Sequence, residues 1–162
     1  MNPSTADLQI RAARPEDVPL ILQFVRELAE YEKLSGDVSA TEEQLRQTLF
    51  GAKPYAAALL GYDQGEPVGF AVYFFAYSTF RAQPILYVED VFVRPEQRGR
   101  GFGRALFLEM FRIAKREGCG RVDWNVLDWN TPSITFYERL GAKVHREWLK
   151  CSLPLKDLPG EL

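Results

Sequence analysis

Apolar and polar positions along the chain switch between a period of two and a period near 3.6, and the switches mark the elements. Leu8 to Ala12 reads as a short strand, after which Arg14-Pro15-Glu16-Asp17 supplies the proline and acids of a first helical turn. Val18, Ile21, Leu22, Val25 and Ala29 follow at helical spacing and predict a helix to about Glu32. Thr41-x-x-Gln44 has the form of a capping box and opens a second, shorter helix through Phe50. Three strand-like runs come next, Tyr55 to Tyr62, Pro67 to Tyr77 and Ile85 to Val93; Asp63-Gln64-Gly65 turns the first into the second, and together they predict an antiparallel meander. Past Arg94-Pro95 the period lengthens again. Gly101 to Glu117 predicts a long helix that lays Phe102, Leu106 and Ile113 on a sheet and is stopped by Gly118 and Gly120. Arg121 to Leu127 reads as a strand, Pro132 to Leu140 as a short helix capped by Thr131 or Asn130, and Lys143 to Leu153 as a final strand. The order β-α-α-β-β-β-α-β-α-β predicts an α/β fold with a mixed, mostly antiparallel central sheet flanked by helices.

No repeat, low-complexity tract or linker interrupts this pattern. With 162 residues and 46% hydrophobic composition, one domain over 1–162 with one core is expected. A net charge of -2 argues against a protein that neutralises nucleic-acid backbone, so a small-molecule partner is expected. Cys119 and Cys151 form no C-x-x-C pair and His145 is the single histidine, which leaves no support for a disulfide framework, a metal site or a histidine-based triad. The N-terminal stretch shows no basic segment followed by an apolar run, and Pro67 to Phe80, the longest uncharged stretch, is too short to span a bilayer. A cytoplasmic, non-membrane protein with reduced thiols is expected.

The most informative segment is the strand-to-helix junction from Val91 through Phe92, Val93, Arg98, Gly99, Arg100, Gly101, Phe102, Gly103 and Arg104. Glycines alternating just before a long helix let the backbone turn tightly and aim free N–H groups outward, and the helix dipole favours an anion there. Residues 94–121 hold eight basic side chains against three acidic, a local +5 in a chain of -2, so the remainder carries -7. A pyrophosphate suits such a turn; a solvated, arginine-rich helix cap is the structural alternative. No Gly-Lys pair exists for a Walker A loop, and Arg104 or Leu106 stands where a Rossmann fingerprint needs glycine or alanine.

Arg98-x-x-Gly101-x-Gly103 resembles the acetyl-coenzyme A loop of the GCN5-related N-acetyltransferases, the GNAT family. The resemblance runs over nearly the whole chain. It is most specific to the diamine acetyltransferases, comprising the spermidine/spermine N1-acetyltransferases and the thialysine N-acetyltransferases. Four stretches carry it: Glu27-Leu28-Ala29-Glu30-Tyr31-Glu32, Leu86 to Val93, Leu127-Asp128-Trp129-Asn130 and Pro132 to Ala142.

What the resemblance implies is an N-acetyltransferase that uses acetyl-coenzyme A as co-substrate, needs no metal and acts on a primary amine by direct attack in a ternary complex. An amine of pKa ~10.4 is mostly protonated at neutral pH and must lose a proton before it attacks a thioester. Glu89 matches the family's proton-handling glutamate; from the residues alone, it and Asp90 could equally face solvent at a strand kink. Tyr137 matches the general acid that protonates the departing thiolate; seen alone it is an aromatic packing residue beside Phe136. By the same implication, the glycine turn binds pyrophosphate, backbone groups of Val91 and Val93 pair with the pantetheine arm across two splayed strands, and Asn130, Ser133 and Tyr137 complete the coenzyme site. Asn130 is as readily a helix cap.

For the amine, Tyr31 and Glu32 match substrate-contacting positions, Glu89 and Asp90 add negative charge, and Trp124-Asn125 is expected on the strand facing the same cleft. Polyamine-specific relatives carry an acidic residue, proline and tryptophan where this chain has Ser78-Thr79-Phe80, and Leu127-Asp128-Trp129-Asn130 looks more like the thialysine-preferring branch. Diamine, polyamine and thialysine-like amino acid therefore all stay open. A non-catalytic coenzyme A sensor and a protein lysine or N-terminal acetyltransferase are the alternatives. The resemblance also implies a homodimer.

Overall fold

A computed structural model describes residues 8–157. The first seven residues, which belong to the stretch read for a targeting signal, and the last five lie outside it. The described chain forms two compact units divided between Asn125 and Val126.

The first unit is a five-stranded sheet in the order β1-β2-β3-β4-β5, formed by Leu8–Ala12, Ala57–Asp63, Glu66–Ser78, Gln83–Val93 and Val122–Trp124. The β1–β2, β2–β3 and β3–β4 pairs are antiparallel, and β4–β5 is parallel. The predicted meander is thus present, joined by the turn at Asp63-Gln64-Gly65.

Helix α1, Val18–Tyr31, packs on one face of the sheet. Its Ile21 and Phe24 form a buried cluster with Ala58, Leu60, Phe70 and Phe92, all alternate residues of β2, β3 and β4. Phe24 and Phe70 stack with centroids 5.3 Å apart. Helix α2, Glu42–Phe50, starts as its sequence dictates: Gln44 N–H donates to Thr41 Oγ1 at 3.2 Å and Thr41 N–H donates to Gln44 Oε1 at 2.9 Å. The intervening sheet residues, Leu59 and Ala71 among them, are also buried and face the opposite side. There helix α3, Phe102–Arg116, contributes buried Leu106, Phe107, Met110 and Ile113.

One network fastens the first strand to this core. Both Arg11 Nη atoms donate to the Asp17 carboxylate at 2.7 and 2.8 Å, and Nη2 also donates to the Tyr62 hydroxyl at 2.8 Å. Asp17 accepts the Arg14 N–H as well, which closes the short 3-10 turn Pro15–Asp17 ahead of α1.

The second unit holds α4, Thr131–Arg139. The final strand predicted over Lys143 to Leu153 does not form, and every residue of that stretch is exposed. Alternation alone does not make a strand, because its backbone groups are satisfied only by a partner strand. The strand predicted over Arg121 to Leu127 shortens for the same reason to Val122–Trp124, the residues that pair with Leu86, Tyr87 and Val88.

Candidate active site

The β3–β4 ladder slips by one residue at its middle. Tyr73 pairs with Val88 and Val72 with Asp90, so Glu89 has no residue opposite it. This bulge reverses which backbone groups face β5. Leu86 N–H donates to the Arg121 carbonyl at 3.2 Å, so Leu86 and Val88 face β5 before the bulge. Beyond it, Arg94 N–H donates back to the Val68 carbonyl at 3.0 Å, so the groups turned away from β3 belong to Val91 and Val93. Pairing with β5 ends at Val88. Val91 and Val93 therefore present strand polar groups on an edge that no strand of the described residues covers.

This edge runs into the glycine turn. Gly99 and Gly101 have φ of +75° and +91°, left-handed values that favour glycine, and a Cβ at either would meet nothing within 4 Å. Glycine is needed there for backbone shape, and the space above the turn is open. Gly101 caps α3 without a side-chain bond. The first intrahelical bond runs from Ala105 N–H to the Gly101 carbonyl at 2.9 Å, so the N–H groups of Phe102, Gly103 and Arg104 have no acceptor within the helix. Gly103 itself is helical.

The arginines of the turn divide by task. Arg94 grips the Glu27 carboxylate through Nε and Nη2, both at 2.9 Å, and donates to the Pro67 carbonyl. Arg98 Nε donates to the Val93 carbonyl at 2.9 Å, and its guanidinium lies 4.3 Å from the Tyr31 ring centroid and 5.7 Å from that of Phe92. Arg100 pairs with Asp63 at 2.8 Å, bonds Gln97 and lies over Phe102. Arg104 is exposed and makes no ion pair among the described residues. A cation in the first turn of a helix opposes the dipole, so Arg104 is the guanidinium most available to an arriving anion. The side chains of Phe92 and Phe102 are core, at 4% and 5% exposure, and leave only their backbone for a ligand.

On the α1 face lie the acidic groups. Asp90 pairs with Val72, a neighbour of the α1 cluster, and is half-buried. Burial pushes its carboxyl up to about 6, and the nearby charges of Glu89 and Glu32 add to the rise. Burial also raises Glu32, the residue just after α1. Glu89 is exposed at the bulge. Trp124 is placed elsewhere than expected: it pairs with Val88, whose side chain shares the α3 face, and its ring meets Phe107 at 4.9 Å. Tyr31, Glu32, Glu89 and Asp90 are thus gathered near one end of α1, whereas the Trp124 ring packs on the opposite face. Asn125 is exposed after β5.

In the second unit, Asn130 caps α4 by accepting the Ser133 N–H on Oδ1 at 3.3 Å. Tyr137 is 8% exposed, with Phe136 as a ring neighbour at 5.5 Å. Two contributors to the site carry no local signal in the sequence, Asp63 and the Glu27–Arg94 pair. Each owes its role to a partner distant in the chain. Among the described residues no group of three or more His, Cys, Asp or Glu is arranged to hold a metal ion, and no helix is long and apolar enough to cross a membrane.

A strand that loses its neighbour beside a glycine-capped, arginine-rich helix start can hold an extended, anion-bearing ligand against its edge. The model of the acetyltransferase (GNAT) family matches residues 22–142. Thialysine N-epsilon-acetyltransferase of Bos taurus is 40% identical over 146 residues, covering 85% of each chain. L-ornithine N5-acetyltransferase of Arabidopsis thaliana is 31% identical over 190 residues, covering 90% of this chain and 83% of its own. An aminoglycoside acetyltransferase from an uncultured soil metagenomic sample, only 15% identical, superposes with a TM-score of 0.79 over 93% of this chain and 98% of its own, which shows the shared fold. By sequence and by fold, the chain belongs to the GNAT family of acetyltransferases.

Proposed function

We propose that this enzyme acetylates the side-chain amine of a small cationic amino acid, of the thialysine or ornithine kind, using acetyl-coenzyme A. The observation that carries the reading is the gathering of Glu32, Glu89 and Asp90 at the bulge, beside the uncovered edge of Val91 and Val93 and the glycine turn. One end of this surface attracts a cation and the other an anion. The names of the relatives support a compact amino-acid substrate. So does Ser78-Thr79-Phe80, which provides no charge for a second, distant ammonium group.

The residues suit the co-substrate. Backbone N–H groups of Phe102, Gly103 and Arg104, with the Arg104 side chain, would hold its pyrophosphate; Val91 and Val93 would pair with its arm, and Asn130 and Ser133 would add contacts. Acetyl-coenzyme A supplies an acetyl group already activated as a thioester. The protein's part is to position and to move protons. Glu32 and Asp90 attract the ammonium group, and Glu89 accepts its proton directly or through water, freeing the lone pair for attack. Tyr137 donates its phenolic proton to the departing sulfur. Transfer is direct, with no acyl group on the enzyme: burial raises the Cys119 thiol above its ordinary value, with Glu117 adding to the rise, which keeps it protonated and poorly nucleophilic.

We read residues 1–162 as one catalytic domain because the family match spans both structural units. A cytoplasmic homodimer fits the two free cysteines and the family resemblance.

Thiol release from acetyl-coenzyme A, measured against thialysine, ornithine, lysine, putrescine and spermidine, tests the reading. The amino acids should be the better substrates by kcat/KM. Tyr137→Phe should lose turnover far more than coenzyme affinity, and Cys119→Ala should retain turnover. Absence of thiol release with every amine, or preference for spermidine, would overturn the substrate assignment.

A further inference from the structure

We propose that Tyr31 is a positioning residue for the coenzyme loop, acting through Arg98 as the second rung of a ladder that joins α1 to the segment after β4. The inference rests on the acetyl-coenzyme A reading above, and it moves Tyr31 from the amine side of the site to the coenzyme side.

The ladder follows from matched spacing. Glu27 and Tyr31 stand four apart on α1 and share a face of that helix. Arg94 and Arg98 also stand four apart, flanking the short 3-10 turn Pro95–Gln97. The first rung is the doubly bonded Arg94–Glu27 pair, with the Arg94 guanidinium 5.0 Å from the Phe24 ring centroid. The second is the Arg98 guanidinium at 4.3 Å from the Tyr31 centroid. Arg98 directly precedes Gly99, and its Nε also holds the Val93 carbonyl. A single side chain therefore fixes the end of the uncovered strand edge and the entry to the glycine turn, and the Tyr31 ring is the platform on which it rests. The ring face carries this task; the hydroxyl does not.

Occupied by an aromatic ring, the platform keeps the turn in its anion-binding shape before any ligand arrives, so less ordering remains to be done on binding. Its loss should appear as weaker coenzyme binding. An amine contact through the hydroxyl predicts the opposite pattern: Tyr31→Phe would be harmful and coenzyme affinity untouched.

Isothermal titration of coenzyme A into wild type, Tyr31→Phe, Tyr31→Leu, Arg98→Met and the Tyr31→Leu/Arg98→Met double variant separates these outcomes. Tyr31→Phe should bind like wild type, and Tyr31→Leu should raise Kd about two- to fivefold, or about 0.4–1 kcal/mol at 1.4 kcal/mol per decade. In the Arg98→Met background, Tyr31→Leu should change Kd by less than it does alone. Stoichiometry guards against misfolding, since loss of folded protein lowers the number of sites without raising Kd. Equal affinity of Tyr31→Leu and wild type, equal harm from Phe and Leu, or additive variants would overturn the ladder. If wild type itself does not bind coenzyme A, the functional reading falls first.

Discussion

The Arg100 guanidinium meets the Asp63 carboxylate at 2.8 Å and so fastens the glycine turn to the end of β2. Asp63 is the better shielded partner, its side chain only 18% exposed. Replacing it leaves Arg100 with Gln97 and the Phe102 ring as its remaining neighbours. Asp63→Asn should raise KM for acetyl-coenzyme A about two- to fivefold, the range of a partly exposed ion pair, with a smaller effect on kcat. Steady-state kinetics at varied acetyl-coenzyme A checks this, and an unchanged KM would show that the turn holds its shape without the anchor.

Asp90 makes a prediction with opposite signs for stability and activity. Its folded-state carboxyl sits near 6, above its unfolded value of about 3.8. The folded state therefore binds more protons than the unfolded state between those values, and stability falls as pH rises through that window. Asp90→Asn removes the penalty. The variant should be more stable than wild type at pH 7, by roughly 1–3 kcal/mol as an upper range. That gain should shrink below pH 6 and vanish near pH 4. Activity should move the other way: kcat/KM of the wild type for the amine should decline as pH falls through about 6, and Asp90→Asn should be impaired throughout. Thermal unfolding at several pH values and a pH–rate profile are the measurements.

The glycines of the site differ in what they tolerate. At Gly101, φ is +91° but a Cβ has free space, so Gly101→Ala should cost only the strain of a left-handed alanine, about 1–2 kcal/mol. At Gly69, where β3 pairs with Val93, a Cβ would lie 2.4 Å from the Phe92 carbonyl oxygen and 3.2 Å from the Val93 Cα. Backbone cannot yield as a side-chain tip can. Gly69→Ala should therefore cost about 1–3 kcal/mol or more by forcing the strands apart. The two variants also differ in kind. Gly101→Ala should lower the unfolding temperature only by the few degrees that its strain implies and should also bind coenzyme A more weakly, whereas Gly69→Ala should show its loss chiefly in thermal unfolding.

These contrasts separate what local sequence encodes from what only register supplies. Thr41 and Gln44 cap α2 within one turn, and Gly99 and Gly101 act at their own φ, so both features were visible in short motifs. The bulge at Glu89 was not. It exists because β3 and β4 slip past one another, and no period within Leu86 to Val93 records the slip. Yet it sets which carboxylate is desolvated and which backbone groups are left uncovered. Arg94 and Glu27 lie 67 positions apart, and neither residue's neighbours mark the other. Trp124 was expected beside the acidic residues, but its pairing with Val88, before the bulge, turns it toward Phe107. Lys143 to Leu153 carries a strand's alternation without a strand's partner.

Asp17 gives the fold its most direct dependence on acid. Its carboxylate accepts from both Arg11 Nη atoms and from the Arg14 N–H, and these bonds hold its pKa below the usual carboxylate value despite burial. A depressed folded-state pKa means that the stabilisation is fully present above the unfolded value near 3.8 and is lost as pH falls through the folded one. Asp17→Asn keeps the size of the side chain but removes its charge and leaves Arg11 short of an acceptor. The expected cost at pH 7 is roughly 1–3 kcal/mol, kept modest because Arg11 is partly exposed. At this chain length, each kcal/mol lowers Tm by about 2–4 °C. Wild type should begin to approach the variant only as pH falls below the unfolded value near 3.8, and should meet it once the folded carboxylate itself is protonated, because protonation does to Asp17 what the substitution did. Thermal unfolding of the pair at pH 7 and at steps below pH 3.8 measures both quantities, and a gap in Tm that stayed constant down to the acid limit of folding would mean that the carboxylate charge contributes nothing to the network.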